Sequence, residues 1–216
     1  IPIFNEERNI PILIKRIKNL KLKYEYDITF INDGSTDNSW NIIKQLNKEE
    51  NRIKGISFSR NFGHQIALTA GVDNSHSDLL IMMDGDLQHN PQEIPKLYKE
   101  ALKGKDIVFV KRSGREEGFW KILSSRIFYK VLSYLTDTTL KSSSTNFGIY
   151  NKKVIEAVIS MPESQKYFPI MVRWVGFNSS EIELMHEKRI SGESSYTLTK
   201  LISLSISIMF SFSNKP

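Results

Sequence analysis

The run Leu79-Leu80-Ile81-Met82-Met83 is apolar over the length of one strand and stops at Asp84-Gly85-Asp86. A short apolar run bounded by turn residues reads as a strand inside a sheet. It commits the chain to a fold whose interior delivers two carboxylates to a sheet edge. In extended geometry alternate residues point the same way, so Asp84, Asp86 and Gln88 would offer their oxygens to one cation. Oxygen-only ligands select hard ions, and Mg2+ or Mn2+ held by one or two carboxylates plus substrate phosphates is the expected occupant. Gly85 leaves room for another group to come close. An Asp-rich turn that merely follows a strand is the competing reading.

The neighbouring segments repeat this design. Ile1–Phe4 reads as the end of a strand, and Asn5-Glu6-Glu7-Arg8-Asn9 then supplies acidic residues for a helix start, with Ile10, Leu13, Ile14, Ile17 and Leu20 at helical spacing. Tyr26–Ile31 is a second strand, ending in Asn32-Asp33-Gly34-Ser35-Thr36-Asp37. There Gly34 makes the turn and Ser35 or Thr36 caps a helix carrying Trp40, Ile42, Ile43 and Leu46. Ile53–Phe58 is a third strand, followed by Ser59-Arg60-Asn61-Phe62-Gly63-His64 and a helix through Ala67–Val72. After the Asp84 strand, a helix runs from Pro91 to about Leu102, and Asp106–Val110 is another strand. Strand and helix alternating at this spacing predict a parallel sheet with helices on both faces. Ligands of such sheets lie beyond the carboxyl ends of the strands. Neither G-x-G-x-x-G nor G-x-x-x-x-G-K-[ST] stands at any of those ends, which argues against a dinucleotide site and a P-loop.

The second half has a different character. Residues 1–100 carry 13 Lys/Arg against 14 Asp/Glu, whereas residues 101–216 carry 17 against 10, so the formal charge of +6 lies in the latter. That half can meet anions, either phosphate groups or an acidic membrane surface. Nucleic acid is disfavoured, since no Lys/Arg run is interleaved with aromatics. Gly118–Leu135 reads as a basic amphipathic helix, Thr145–Tyr150 as a strand, Lys152–Ser160 as a helix and Tyr167–Val175 as a compact aromatic helix or turn. Ser179–His186 alternates like a half-exposed strand, and Glu187–Tyr196 is a polar loop. The 12-residue stretch Leu201–Phe212 falls short of the ~20 residues needed to span a bilayer. It reads as a packed or interfacial helix, or as the approach to membrane segments further on. There are no cysteines, which excludes a disulfide framework and thiolate chemistry.

Taken in order, Pro2-x-Phe4-Asn5-Glu6, Asn32-Asp33-Gly34-Ser35-x-Asp37, Ser59-Arg60-Asn61-Phe62-Gly63, Asp84-Gly85-Asp86-Leu87-Gln88-x-x-Pro91 and Arg189-x-x-Gly192-x-Ser194-Ser195-Tyr196 resemble glycosyltransferase family 2. Within it the chain is most similar to the dolichol-phosphate mannosyltransferase and bacterial polyprenyl-phosphate glycosyltransferase branch. The resemblance implies a GT-A fold, an α/β nucleotide-diphospho-sugar transferase architecture whose mostly parallel sheet is flanked by helices. It implies a nucleotide-sugar-binding half at residues 1–110, an acceptor-binding half at 111–200 and a juxtamembrane or packing helix at 201–216. Pro2, Phe4, Glu6, Ile31, Asp33 and Gly85 match the nucleotide-binding positions. Phe4 stands where Tyr is commoner, and Asn32 replaces the first Asp of Asp-Asp-Gly-Ser. Asp84, Asp86 and Gln88 match the metal signature, and Arg112, Arg126 and Arg189 the phosphate-binding arginines, with Arg112 counted beside Asp84 and Asp86 as catalytic.

The implied reaction is metal-dependent, inverting transfer from a nucleoside-diphosphate sugar, a UDP-sugar by family habit, to a polyprenyl phosphate at the cytoplasmic face of a membrane. A homo-oligomer is compatible with it. A lipid phosphate is already ionised and needs no general base. Asn146 is neutral and can act as none, which fits such an acceptor, held by Arg112, Arg126 or Lys130. A saccharide hydroxyl acceptor, with a base among Glu116, Glu117 and Asp137, is the alternative, as is an inactive nucleotide-sugar-binding module. His64, His76 and His89 read as surface or cap histidines without a role, while His186 could approach the diphosphate beside Arg189.

Overall fold

The structure, a computed structural model, describes residues 1–20, 22–113, 144–163 and 167–185. Strands β1 (Pro2–Ile3), β2 (Ile28–Asn32) and β3 (Ile53–Ser57) pair in parallel in that order. Helices α1 (Asn9–Lys18) and α2 (Ser39–Glu49) are the crossovers between them. The α1 stripe Ile10, Leu13, Ile14 and Ile17 is buried, as its spacing requires.

A second sheet has the order β4-β6-β5-β7, built from β4 (Leu79–Met82), β5 (Ile107–Ser113), β6 (Ser144–Asn151) and β7 (Ser179–Met185). Helix α3 (His64–Asp73) precedes β4, and α4 (Ile94–Ala101), entered through the 3-10 turn Pro91–Glu93, precedes β5. Helices α5 (Lys152–Ser160) and α6 (Phe168–Trp174) lie between β6 and β7. The mostly parallel arrangement has one reversed strand. β5 and β7 are parallel, but β6 runs antiparallel to both β4 and β5. Phe147, Ile149 and Tyr150 are all buried, and a strand covered on both faces reads as an apolar run whose direction its sequence does not encode.

Helices cover both faces, and strand alternation sorts the core accordingly. Val108 and Val110 of β5 join Phe147 and Ile149 of β6 in a cluster with α1 and α4, whereas Ile107, Phe109 and Tyr150 face α3, α5 and α6.

The helix starts differ from expectation because their polar side chains bridge loops. α1 begins at Asn9 with no side-chain cap, and α2 begins at Ser39. Ser35 Oγ accepts the Asn5 N–H at 3.0 Å, Ser39 Oγ accepts the Glu6 N–H at 2.9 Å, and Asn5 Oδ1 accepts the Thr36 N–H at 2.8 Å. Asp37 accepts the Glu7 N–H at 3.1 Å while Glu7 accepts the Asn38 N–H at 3.0 Å. The loops after β1 and β2 are thereby laced into one surface.

Two residues test this framework. Gly34 has φ +65°, and a Cβ there would lie 2.2 Å from the Arg60 carbonyl carbon. Left-handed strain alone is of order 1–3 kcal/mol for a residue with a Cβ, so Gly34→Ala should lower stability in urea unfolding by at least that much; an unchanged midpoint would refute the close packing. Asp106 joins β5 to α5, accepting from Asn151 Nδ2 at 2.6 Å and pairing with Lys153 Nζ at 2.7 Å. Chiefly the Lys153 hydrogen bond, aided by Asn151 against desolvation, holds its carboxyl below the ordinary 3.8. A depressed carboxylate contributes stability that is fully present above its unfolded value and lost as pH falls through the folded one. Asp106→Asn should therefore lower stability at neutral pH and flatten the acid limb of the stability curve; an acid limb identical to wild type would refute the pairing.

Candidate active site

The edge of interest begins with Asp33 at the end of β2, which is 3% exposed. Its carboxylate accepts the Phe62 N–H at 2.7 Å, the Gly63 N–H at 3.0 Å and Asn61 Nδ2–H at 2.9 Å. The group matched to nucleoside binding thus holds the N-terminus of α3, where exposed N–H groups and the helix dipole favour an anion. Asn32 is buried beside it. Its Nδ2 donates to Ser57 Oγ at 2.8 Å and its Oδ1 accepts the Ser35 N–H at 3.2 Å. Both ends of the Asn32 amide are thereby spent on holding the turn after β2.

Strand β4 stops at Met82, and residues 85 and 86 form a turn. Leu87 adopts φ +61° with its side chain fully buried. The left-handed region costs a residue with a Cβ roughly 1–2 kcal/mol, and burial of the leucine offsets it. The alternation argument for Asp84, Asp86 and Gln88 therefore does not apply, because the chain is no longer extended there. Instead Gln88 N–H donates to Asp86 Oδ1 at 3.1 Å. What comes close to Gly85 is β1: a Cβ would stand 2.4 Å from Ile3 Cδ1 and 3.1 Å from the Pro2 carbonyl oxygen. This approach joins the two sheets.

Asp84 Oδ1 is buried and, among the described residues, has no hydrogen-bond partner. His64 Nε2 stands 3.4 Å from it, beyond ordinary hydrogen-bond length, and the same nitrogen is 3.0 Å from Asn146 Nδ2. Asp86 is 7% exposed. A carboxylate oxygen shielded from water without a donor is an uncompensated charge, and a hard cation at these two carboxylates would compensate it. Among the described residues no group of three or more His, Cys, Asp or Glu could hold a metal by itself. Two carboxylates completed by a diphosphate are what Mg2+ or Mn2+ commonly uses, so the residues fit the ion. Beneath them burial raises the Tyr150 phenol, with Asp84 adding and Arg173 opposing, so this tyrosine stays neutral. Burial lowers Arg173, which lies over the Phe109 ring at 4.0 Å.

Other expected residues are scattered around this centre. Phe4 is 42% exposed just past β1, a free stacking face. Glu6 accepts from Asn9 Nδ2 at 2.5 Å. The Ile31 side chain is buried toward α3, where a Cβ on Gly71 would lie 3.5 Å from it. Arg112 lies on β5 opposite Leu184, with its side chain outside the described residues. Arg126, Lys130, Arg189, Glu116, Glu117, Asp137 and His186 also lie outside them, as do the helix expected at Gly118–Leu135, the loop at Glu187–Tyr196 and the segment Leu201–Phe212. His64 and Asn146, to which the sequence assigned no catalytic part, are both at the centre. The one available signal was the position of His64 directly after the Asn-Phe-Gly turn.

Comparison with known proteins places the chain in a family. The family model for glycosyl transferase family 2 matches residues 1–159. The chain is 32% identical to the undecaprenyl-phosphate 4-deoxy-4-formamido-L-arabinose transferase of Proteus mirabilis, over all of this chain and 67% of that one. It is 35% identical to a prophage bactoprenol glucosyl transferase homolog of Escherichia coli K12, over all of this chain and 72% of the relative. Among solved structures, glucosyl-3-phosphoglycerate synthase from Mycobacterium tuberculosis, in complex with Mn2+, uridine diphosphate and glucosyl-3-phosphoglycerate, superposes with TM-score 0.69 at 17% identity, covering all of this chain and 78% of that one. The fold is the GT-A type, and the chain belongs to glycosyltransferase family 2 as a transferase enzyme.

Proposed function

We propose that the enzyme transfers a sugar from a UDP-sugar to a polyprenyl phosphate, inverting the anomeric centre, with Mg2+ or Mn2+ at Asp84 and Asp86 and Gln88 as a further oxygen ligand. The observation that carries this reading is the shielded, unpartnered Oδ1 of Asp84 beside the buried Asp86. The printed activities of the undecaprenyl-phosphate and bactoprenol relatives support the acceptor, and the uridine diphosphate in the solved neighbour supports the base.

When bound, the cation supplies charge neutralisation to the departing diphosphate. Phe4 offers its exposed ring to the base, and the Asp33 network holds the loop that faces it. Strands β4 and β5 both run opposite to β6, so Arg112 ends on the same edge as Asp84. There it neutralises diphosphate or acceptor phosphate together with Arg126, Lys130 and Arg189. An anionic oxygen of the lipid phosphate attacks the anomeric carbon while the bond from that carbon to the diphosphate oxygen breaks, and the electron pair leaves with UDP. No proton moves, so no general base is required. Among the described residues no helix is long and apolar enough to cross a membrane; contact with the cytoplasmic face follows in this reading from the lipid acceptor and the basic residues between 111 and 130.

Turnover should require a divalent cation and a polyprenyl phosphate, measured as UDP release across a panel of UDP-sugars. Asp84→Asn should reduce kcat by about 10²–10³-fold, the scale of losing one electrostatic stabiliser. Undiminished turnover in that variant would refute the metal assignment, and release that follows a saccharide but ignores the lipid would refute the acceptor.

A further inference from the structure

We infer that His64 is a positioning residue for Asp84, itself oriented by Asn146, and this deepens the metal assignment proposed above and rests on it. Three separate elements converge to make the contact. The β4–β6 register pairs Met82 with Gly148, which brings the end of β4, just before Asp84, to the beginning of β6, where Asn146 stands. His64 arrives from elsewhere, as the first residue of α3. Its place is dictated by Gly63, which has φ +102° and donates its N–H to Asp33 at 3.0 Å. A side chain with a Cβ would be strained there, and the bond to Asp33 holds the turn that aims the imidazole back across the sheet edge.

The proton can be placed by elimination. His64 Nε2 faces Asp84 Oδ1 at 3.4 Å and the Asn146 amide at 3.0 Å. A carboxylate only accepts. A bare Nε2 would set its lone pair against the buried anionic oxygen, to which no other group among the described residues donates. With the proton on Nε2 the interaction becomes attractive. The two ends of an amide exchange by a half-turn about the Cβ–Cγ bond, so Asn146 can present Oδ1 to the same N–H and share it with Asp84. Asn146 then does two things: it selects the Nε2–H tautomer and holds the ring plane toward the carboxylate. Each carboxylate oxygen has two lone pairs, so an N–H directed at one oxygen from 3.4 Å leaves Asp84 free to ligate. Groups that bind metals are generally oriented by such outer hydrogen bonds, and losing one costs typically 10–100-fold in affinity or activity. The side chains of His64 and Asp84 are 30% and 21% exposed, shielded enough for the contact to matter and open enough for substrate to reach them.

Two measurements test this. The first is the 15N spectrum of the His64 imidazole in the metal-free protein: a Nε2–H ring whose resonances move in Asp84→Asn and in Asn146→Ala is expected, while a Nδ1–H ring, or one indifferent to Asp84→Asn, overturns the contact. The second is Mn2+ uptake in the presence of UDP, followed by electron paramagnetic resonance. His64→Ala should weaken it by at least about tenfold, and His64→Gln, which keeps an N–H donor, should restore most of the loss. Thermal unfolding confirms that both variants fold. Uptake by His64→Ala equal to wild type, or failure of His64→Gln to improve on alanine, overturns the positioning role. Wild-type protein that takes up no Mn2+ with UDP overturns the metal assignment itself, and the imidazole spectrum reports on the contact independently of that failure.

Discussion

The Asp33 carboxylate is the interaction on which the site depends. Buried at the end of β2, it accepts two backbone N–H groups and one side-chain amide from the turn that opens α3. Its own N–H donates to the Ile3 carbonyl at 2.8 Å, so one residue fixes β1, β2 and the start of α3 relative to one another. A buried anion is tolerated only when hydrogen-bonded. Loss of the turn would strand the charge, and loss of the charge would leave two helix-terminal N–H groups without an acceptor.

From that anchor the site is assembled by close approach. Gly34 lets the loop after β2 press against the backbone of Arg60 and Asn61, and Gly85 lets the loop after β4 press against Ile3 and Pro2. A Cβ at Gly34 would run into backbone, and one at Gly85 would have to displace the end of the Ile3 side chain. The two sheets therefore meet at the point where the carboxylates emerge. The reversed strand β6 completes the edge, because running antiparallel brings its beginning, with Asn146, beside the end of β4. A parallel β6 would have put its far end there instead.

The edge carries negative charge held away from water. Asp84 and Asp86 sit on a rigid turn, one shielded and the other buried, above a neutral Tyr150 and a half-buried Arg173. The Asp33 network holds the turn that opens α3, and burial of Leu87 holds the turn that carries Asp86 in a strained backbone conformation.

Much of this was legible in the residues. The strand-length runs ending at Asn32-Asp33-Gly34 and Asp84-Gly85-Asp86, the α1 stripe, and the ordered motifs of family 2 were readable because apolar periodicity and turn chemistry are local. Where the reading failed, a distant partner decided. Ser35 and Thr36 looked like helix caps, yet they bind the loop after β1. Asp84, Asp86 and Gln88 looked like one extended ligand row, yet burial of Leu87 turns the chain between them. His64 and Asn146 gave no signal of a shared task, since 82 residues separate them and only the antiparallel β6 brings them together. The sequence by itself determined the element order, the family and the placing of two carboxylates just past the end of a buried strand. The tertiary structure alone decided strand direction, which side chains are used up as scaffold and which face the site, because those depend on hydrogen bonds and packing between segments far apart in the chain.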